Sequence, residues 1–202
     1  MLNIAVLVSG GGTNLQALLD SEARGENPNG RITLVVASKP GVYALERAAK
    51  AGVEGCVVRR KDYASSVDFD AALLKTLKDH NIDLVVLAGF LSVLGPSVIE
   101  AYPRRILNVH PALIPSFCGP QYGLRPHAGG RLARGCKVTG ATVHFVNEEC
   151  DGGPILPASK ARLETILPRR HPPRSLQKRV MEQAEWKLLP KAVAMVCSGE
   201  IE

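Results

Sequence analysis

Five short apolar runs punctuate the first half of the chain, at residues 2–8, 32–37, 53–58, 82–88 and 105–109, and helical periodicity follows each of the first four. Predominantly apolar runs of this length are expected of strands covered on both faces. Strands alternating with helices build a parallel sheet through right-handed crossovers. The expectation is an α/β fold, a doubly wound, mostly parallel sheet of about seven strands flanked by helices. Leu15, Leu18 and Leu19 mark the inner face of the first helix, residues 42–51 form the second, and Leu73, Leu74 and Leu77 line one over residues 69–80. Gly95-Pro96 opens a short helix that reaches Tyr102.

The second half changes character. Residues 137–147 alternate and are rich in β-branched side chains, which predicts a strand. Residues 124–134 carry a helical pattern weakened by Pro126 and Gly129-Gly130, and residues 175–196 read as one long amphipathic helix. No repeat or linker divides the chain. Residues 1–202 are therefore expected to form a single domain, with a Rossmann-like, mononucleotide-binding half (1–105) and a half that completes the site (106–202).

Composition narrows the partners. The net charge is +6, but the segment from Pro157 to Arg174 holds Lys160, Arg162, Arg169, Arg170 and Arg174 against Glu164, a net +4. That segment has no aromatic residue for stacking on bases, so nucleic acid is not the expected partner. No apolar run is long enough to span a membrane and no basic leader precedes the first strand, so a cytoplasmic location is expected. Cys56, Cys118, Cys136, Cys150 and Cys197 are scattered without a C-x-x-C pair, which argues against a disulfide framework and a zinc site.

Three features carry chemistry. Ser9-Gly10-Gly11-Gly12-Thr13-Asn14 follows the first strand and opens a helix. Glycines let backbone N–H groups approach an anion, and the helix N-terminus favours negative charge. Neither the dinucleotide fingerprint nor a Walker loop fits, because Leu15 stands where the former needs a small residue and no Gly-Lys-Ser/Thr occurs. A phosphomonoester fits better, although a tight strand-to-helix turn explains the same glycines. The second feature is Asn108-Val109-His110-Pro111 at the end of the fifth run, where an open α/β sheet binds its ligands. Two residues apart, Asn108 and His110 project to one side if strand geometry persists. One offers a donor to an oxyanion and the other moves a proton near neutral pH. The third is Asp151, which either supports an imidazolium or simply forms the turn before Gly152-Gly153. His144 on its strand reads as a packing or hydrogen-bonding residue, His80 as solvated, and His171 carries no catalytic signal.

Taken in order, Ser9-Gly10-Gly11-Gly12-Thr13-Asn14-Leu15-Gln16, Leu87-Ala88-Gly89-Phe90, Leu107-Asn108-Val109-His110-Pro111, Thr142-Val143-His144-Phe145-Val146 and Asp151-Gly152-Gly153-Pro154-Ile155-Leu156 resemble the phosphoribosylglycinamide formyltransferase family. The resemblance covers most of residues 2–156 and returns in the C-terminal helix. It implies formyl transfer from 10-formyltetrahydrofolate, a co-substrate, to the primary amine of glycinamide ribonucleotide in purine synthesis, with no metal. Asn108, His110 and Asp151 would be catalytic, and Gly12, Thr13 and Asn14 would hold the substrate phosphate. Pro111 and Glu185 would bind the rest of the ribonucleotide. Phe90, Leu91, Ser92, Val93 and Leu94, with the backbone of Val146, Asn147, Glu148 and Glu149, would bind the folate. Small molecules are the implied partners, and the chain is expected to be a monomer or homodimer. It departs from the family at Ser92, where an arginine is common, around Gly123 to Gly130, and across the basic segment from Pro157 to Arg174. Two rival functions share these features: a formyltetrahydrofolate deformylase, which has the same Asn/His/Asp set, and a non-catalytic nucleotide-binding module.

Overall fold

The first apolar run forms strand β1 (Leu2–Val8) in the middle of a six-stranded sheet in the computed structural model, which describes residues 1–119, 138–156 and 173–201. The other strands are β2 (Gly30–Ala37), β3 (Glu54–Val57), β4 (Leu84–Leu87), β5 (Ile106–His110) and β6 (Thr142–Phe145). Their order across the sheet is β3-β2-β1-β4-β5-β6. All pairings are parallel except β5 with β6. The order reverses between β1 and β4, so the crevice beyond their carboxyl ends is where a doubly wound sheet takes ligands.

Each strand sends alternate side chains to opposite faces. From β1, Ile4, Val6 and Val8 join a core with Leu15 and Leu18 of α1 (Thr13–Ala23) and Leu188, Leu189 and Val193 of α6 (Trp186–Cys197). Ala5 and Leu7 face the other way, onto Phe69, Leu73 and Leu77 of α3 (Ser66–Asp79) and Val98 of α4 (Pro96–Ala101). Helix α2 (Tyr43–Lys50) covers the first face with Ala44 and Ala48. A fully buried leucine such as Leu73 contributes about 1.5–3 kcal/mol by leaving water. Helix α3 starts three residues before the expected boundary because Ser65 closes a capping box: its hydroxyl accepts from the Asp68 amide, and the Asp68 carboxylate accepts from the Ser65 amide.

Three expectations need correction. His110 is the last residue of β5 rather than the first of a loop, because its backbone still pairs with Thr142. Among the described residues of 137–147, regular strand structure is confined to Thr142–Phe145, since β5 offers no ladder beyond His110 once Pro111 removes an N–H. Gly140 packs so closely on Leu113 that a Cβ there would stand 2.7 Å from Leu113 Cδ2, which ties the segment to the post-strand loop instead. The expected long C-terminal helix runs without a gap but is not one regular α-helix: α5 (Pro173–Val180), a wide π turn (Met181–Glu185) and α6 follow one another. Pro190 inside α6 leaves the Trp186 carbonyl without its usual helical donor just beyond the π turn. The helix expected at 124–134, Gly123 to Gly130, His171 and all of the basic segment except Pro173 and Arg174 lie outside the described residues. No helix among the described residues is long and apolar enough to cross a membrane.

Candidate active site

Beyond β1, Gly12 caps α1 with φ +70°, a left-handed conformation that favours glycine. A Cβ on Gly12 would stand 2.7 Å from Ala44 Cβ and 2.9 Å from Ala44 Cα, so α2 leaves no room for one. The loop is also tied outward: the Ala44 amide donates to Gly10 O (3.3 Å) and Arg47 Nε to Gly11 O (2.8 Å). The first backbone bond of α1 runs from Gln16 N to Gly12 O, and the first turn holds no acidic side chain. The positive end of the helix, with Thr13 and Asn14, is thus open to an anion. Asn14 is buried and donates through Nδ2 to Glu185 Oε2 at 2.8 Å. The two expected ribonucleotide ligands therefore meet, although they are far apart in sequence. The π turn carries Glu185 to this position.

At the end of β5, Asn108 and His110 face the side opposite Leu107 and Val109, which belong to the core of the α1–α6 face. Antiparallel register sets Asn108 opposite His144 and His110 opposite Thr142. The four side chains therefore share one face. The His110 imidazole donates through Nε2 to Phe117 O at 2.8 Å, and its Nδ1 lies 3.5 Å from Asp151 Oδ1. The same carboxylate oxygen stands 3.7 Å from His144 Nε2, while the other accepts from Gly119 N at 3.1 Å. Asp151 adopts φ +57°, and Gly153 behind it sits where a Cβ would be 1.7 Å from Phe145 O. The turn that carries Asp151 can lie against β6 only because residue 153 has no side chain. Thr142 secures the loop after His110: its hydroxyl donates to Ala112 O (2.7 Å) and accepts from Ile114 N (3.1 Å). Pro111 follows His110 directly and is half-buried.

The hydrogen bonds decide the tautomer of His144. Its Nδ1 is 2.9 Å from Phe145 O, a pure acceptor, so Nδ1 carries the proton. Nε2 then offers a lone pair to Asn108 Nδ2 at 3.1 Å, which in turn fixes the amide orientation of Asn108. Burial pushes the His144 pKa below its ordinary 6.5, outweighing the bond to Phe145 O and the attraction of Asp151; nearby His110 also lowers it. A depressed folded-state value means that the unfolded chain binds a proton where the folded site does not. This group's contribution to stability is fully present above pH 6.5 and is lost as the pH falls below it toward the folded value. Urea unfolding between pH 7.5 and pH 5 is expected to show a shallower loss of stability for His144→Gln than for the parent chain. Parallel pH curves would contradict the assignment.

The stretches expected to hold folate lie on the α3–α4 face. Phe90 and Val146 are both half-buried against the core there, and Leu94 is fully buried. Leu91 and Val93 project into solvent, and Ser92 is half-buried. Val146 is held over the start of β5 by its amide bond to Ile106 O (2.8 Å). Asn147 turns the chain by accepting from Glu149 N (3.2 Å), which leaves Glu148 and Glu149 exposed. The glycine loop and Glu185 belong to the α1–α6 face, so the two expected sets of ligand residues flank the end of β5 that carries Asn108 and His110.

Sequence reading underweighted His144 and missed Thr142, Phe117 and Ser9. The alternation of Thr142 and His144 is visible, but only the register with β5 shows that they face Asn108 and His110. His80 is not solvated as expected. It is half-buried, with Nδ1 2.7 Å from Thr76 O and Nε2 3.3 Å from Glu54 Oε1. The Thr76 carbonyl, ahead of Glu54 and Asp79, raises its pKa.

An imidazole–carboxylate pair beside an amide donor, with a glycine loop opening a helix on the same end of the sheet, has the groups that an acyl transfer needs. The chain belongs to the formyl transferase family, whose profile matches residues 2–193. Within that family its likeness is to phosphoribosylglycinamide formyltransferases. The Haemophilus influenzae enzyme of that name is 34% identical over 201 residues, covering 100% of this chain and 90% of the relative. The human trifunctional purine biosynthetic protein adenosine-3 is 38% identical over 201 residues, and the chain spans 19% of its length. The crystal structure of glycinamide ribonucleotide transformylase 1 from Symbiobacterium toebii superposes with a TM-score of 0.90 at 37% identity, covering 100% of this chain and 91% of that one.

Proposed function

We propose that the chain transfers the formyl group of 10-formyltetrahydrofolate to the primary amine of glycinamide ribonucleotide in purine biosynthesis. The observation that carries this reading is the Asn108–His144 and His110–Asp151 cluster at the end of β5. The likeness to named formyltransferases supports it. In this reading the substrate phosphate sits on Gly12, Thr13 and Asn14, with Glu185 and Pro111 against the rest of the ribonucleotide. Phe90, Leu91, Ser92, Val93, Leu94 and the backbone of 146–149 take the folate from the opposite face. The amine attacks the formyl carbon, forming a C–N bond and an oxyanion. Asn108 has one amide hydrogen committed to His144, and the other is directed at that oxyanion. His110 moves the proton from the amine toward the departing folate nitrogen, and the Asp151 carboxylate holds the positive charge that develops on the ring. Both substrates are small molecules, the halves 1–105 and 106–202 act as one domain, and the reaction takes place in the cytoplasm.

The test is to incubate the protein with 10-formyltetrahydrofolate, with and without glycinamide ribonucleotide, and follow the deformylated folate by absorbance. Turnover that requires the amine is expected. Equal turnover without it would assign a hydrolase, and no turnover in either case would assign a binding module.

A further inference from the structure

The segment of residues 90–94 is gripped at both ends by buried side chains that belong to other elements. At its front, Leu91 N donates to the Ser9 hydroxyl at 2.9 Å. Directly behind it, Gly95 N donates to Asp70 Oδ1 at 3.1 Å. Ser9 is 4% exposed and Asp70 3%. An aspartate this buried is uncommon, and its one hydrogen bond among the described residues is to Gly95 N. The fit is also tight: a Cβ on Gly95 would stand 1.8 Å from Asp70 Oδ2. Between the anchors, Leu91 is 65% and Val93 85% exposed. Two apolar side chains are thus displayed on a backbone that is fixed from behind, which is how a ligand surface is pre-organised.

The anchors differ in what else they hold. Asp70 comes from α3 and grips only this segment. Ser9 is the first residue after β1, where the ladder has ended with Ala88 N donating to Leu7 O (2.9 Å) and Ser38 N to Val8 O (2.9 Å). Its hydroxyl is also 2.7 Å from Ser38 Oγ. It therefore links the ends of β1, β2 and β4 at the point where the sheet order reverses, and it is joined covalently to the glycine loop.

We propose that Asp70 and Ser9 are positioning residues for the two ligand loops: Asp70 sets the 90–94 segment alone, whereas Ser9 sets it together with the glycine loop. This rests on the formyl-transfer reading for the identity of the ligands. Asp70→Leu, which keeps the branched shape and removes the acceptor, is expected to raise the KM for 10-formyltetrahydrofolate about tenfold, the effect of losing one buried hydrogen bond. The KM for glycinamide ribonucleotide should stay within about twofold by the same account. Asp70→Asn keeps an acceptor oxygen and should restore most of the donor affinity. Ser9→Ala should raise both KM values. Amide hydrogen exchange reads the anchors without reference to activity: Gly95 should lose protection in Asp70→Leu, and Leu91 in Ser9→Ala. Equal rises of both KM values in Asp70→Leu, failure of Asp70→Asn to recover, or unchanged exchange at Leu91 and Gly95 would overturn the proposal. If Asp70→Leu does not fold, Ser9→Ala still decides it, because an unchanged donor KM there is equally fatal. Altered exchange in a protein that transfers no formyl group would leave the anchors standing and remove the ligand assignment.

Discussion

His110→Ala is expected to lower the rate of formyl transfer by about 10²- to 10⁴-fold, the range for removing a positioned general acid–base. Binding of glycinamide ribonucleotide should change little, because the phosphate loop and the Asn14–Glu185 bond lie on the other face of the sheet. The structural cost is separate. His110 is buried, and alanine leaves Phe117 O without the ring donor that now reaches it at 2.8 Å. The loss of that hydrogen bond costs about 0.5–1.5 kcal/mol of stability. Steady-state kinetics with calorimetric titration of the ribonucleotide separates the two effects. Turnover within a few-fold of the parent chain would remove His110 from the chemistry.

The parallel part of the fold is legible because its information is local. Residues 4–8 and 84–88 are continuously apolar, and a strand covered on both faces requires little else. Asn108 and His110 are legible for a similar reason, since their spacing and the prolines beyond them lie in one short stretch. Asp151 is different. Its local chemistry fits a turn, and it adopts the left-handed conformation that such a turn needs. The residues alone left it open between that turn and the support of an imidazolium, and the family resemblance favoured the second; its carboxylate faces two imidazoles. His144 required the antiparallel register of β6 on β5, a non-local pairing that periodicity does not encode. Glu185 was named by resemblance alone. The π turn around it is invisible to a helical-periodicity reading, because an added residue per turn leaves the apolar spacing of the flanking helices almost intact.

Asp151→Asn is the sharper test of how these side chains cooperate, with an expected loss in kcat of about 100-fold or more. The amide still offers an oxygen to Gly119 N, so the turn keeps its 3.1 Å bond and the fold should survive. Two things change. The negative charge 3.5 Å from His110 Nδ1 disappears, so the positive charge that develops on the ring loses its counter-charge. The new NH₂ group can also lie 3.7 Å from His144 Nε2, a nitrogen that now accepts from Asn108. Two donors then compete for one lone pair, and the orientation of Asn108 is no longer set by His144 alone. The loss should therefore exceed that of a substitution acting through charge only. It should also be non-additive with His110→Ala, because removing either group disables the same proton transfer. A double variant about as slow as His110→Ala alone is the expected result. Losses that multiply, or an Asp151→Asn enzyme within twofold of the parent kcat, would show that the carboxylate does not act through His110.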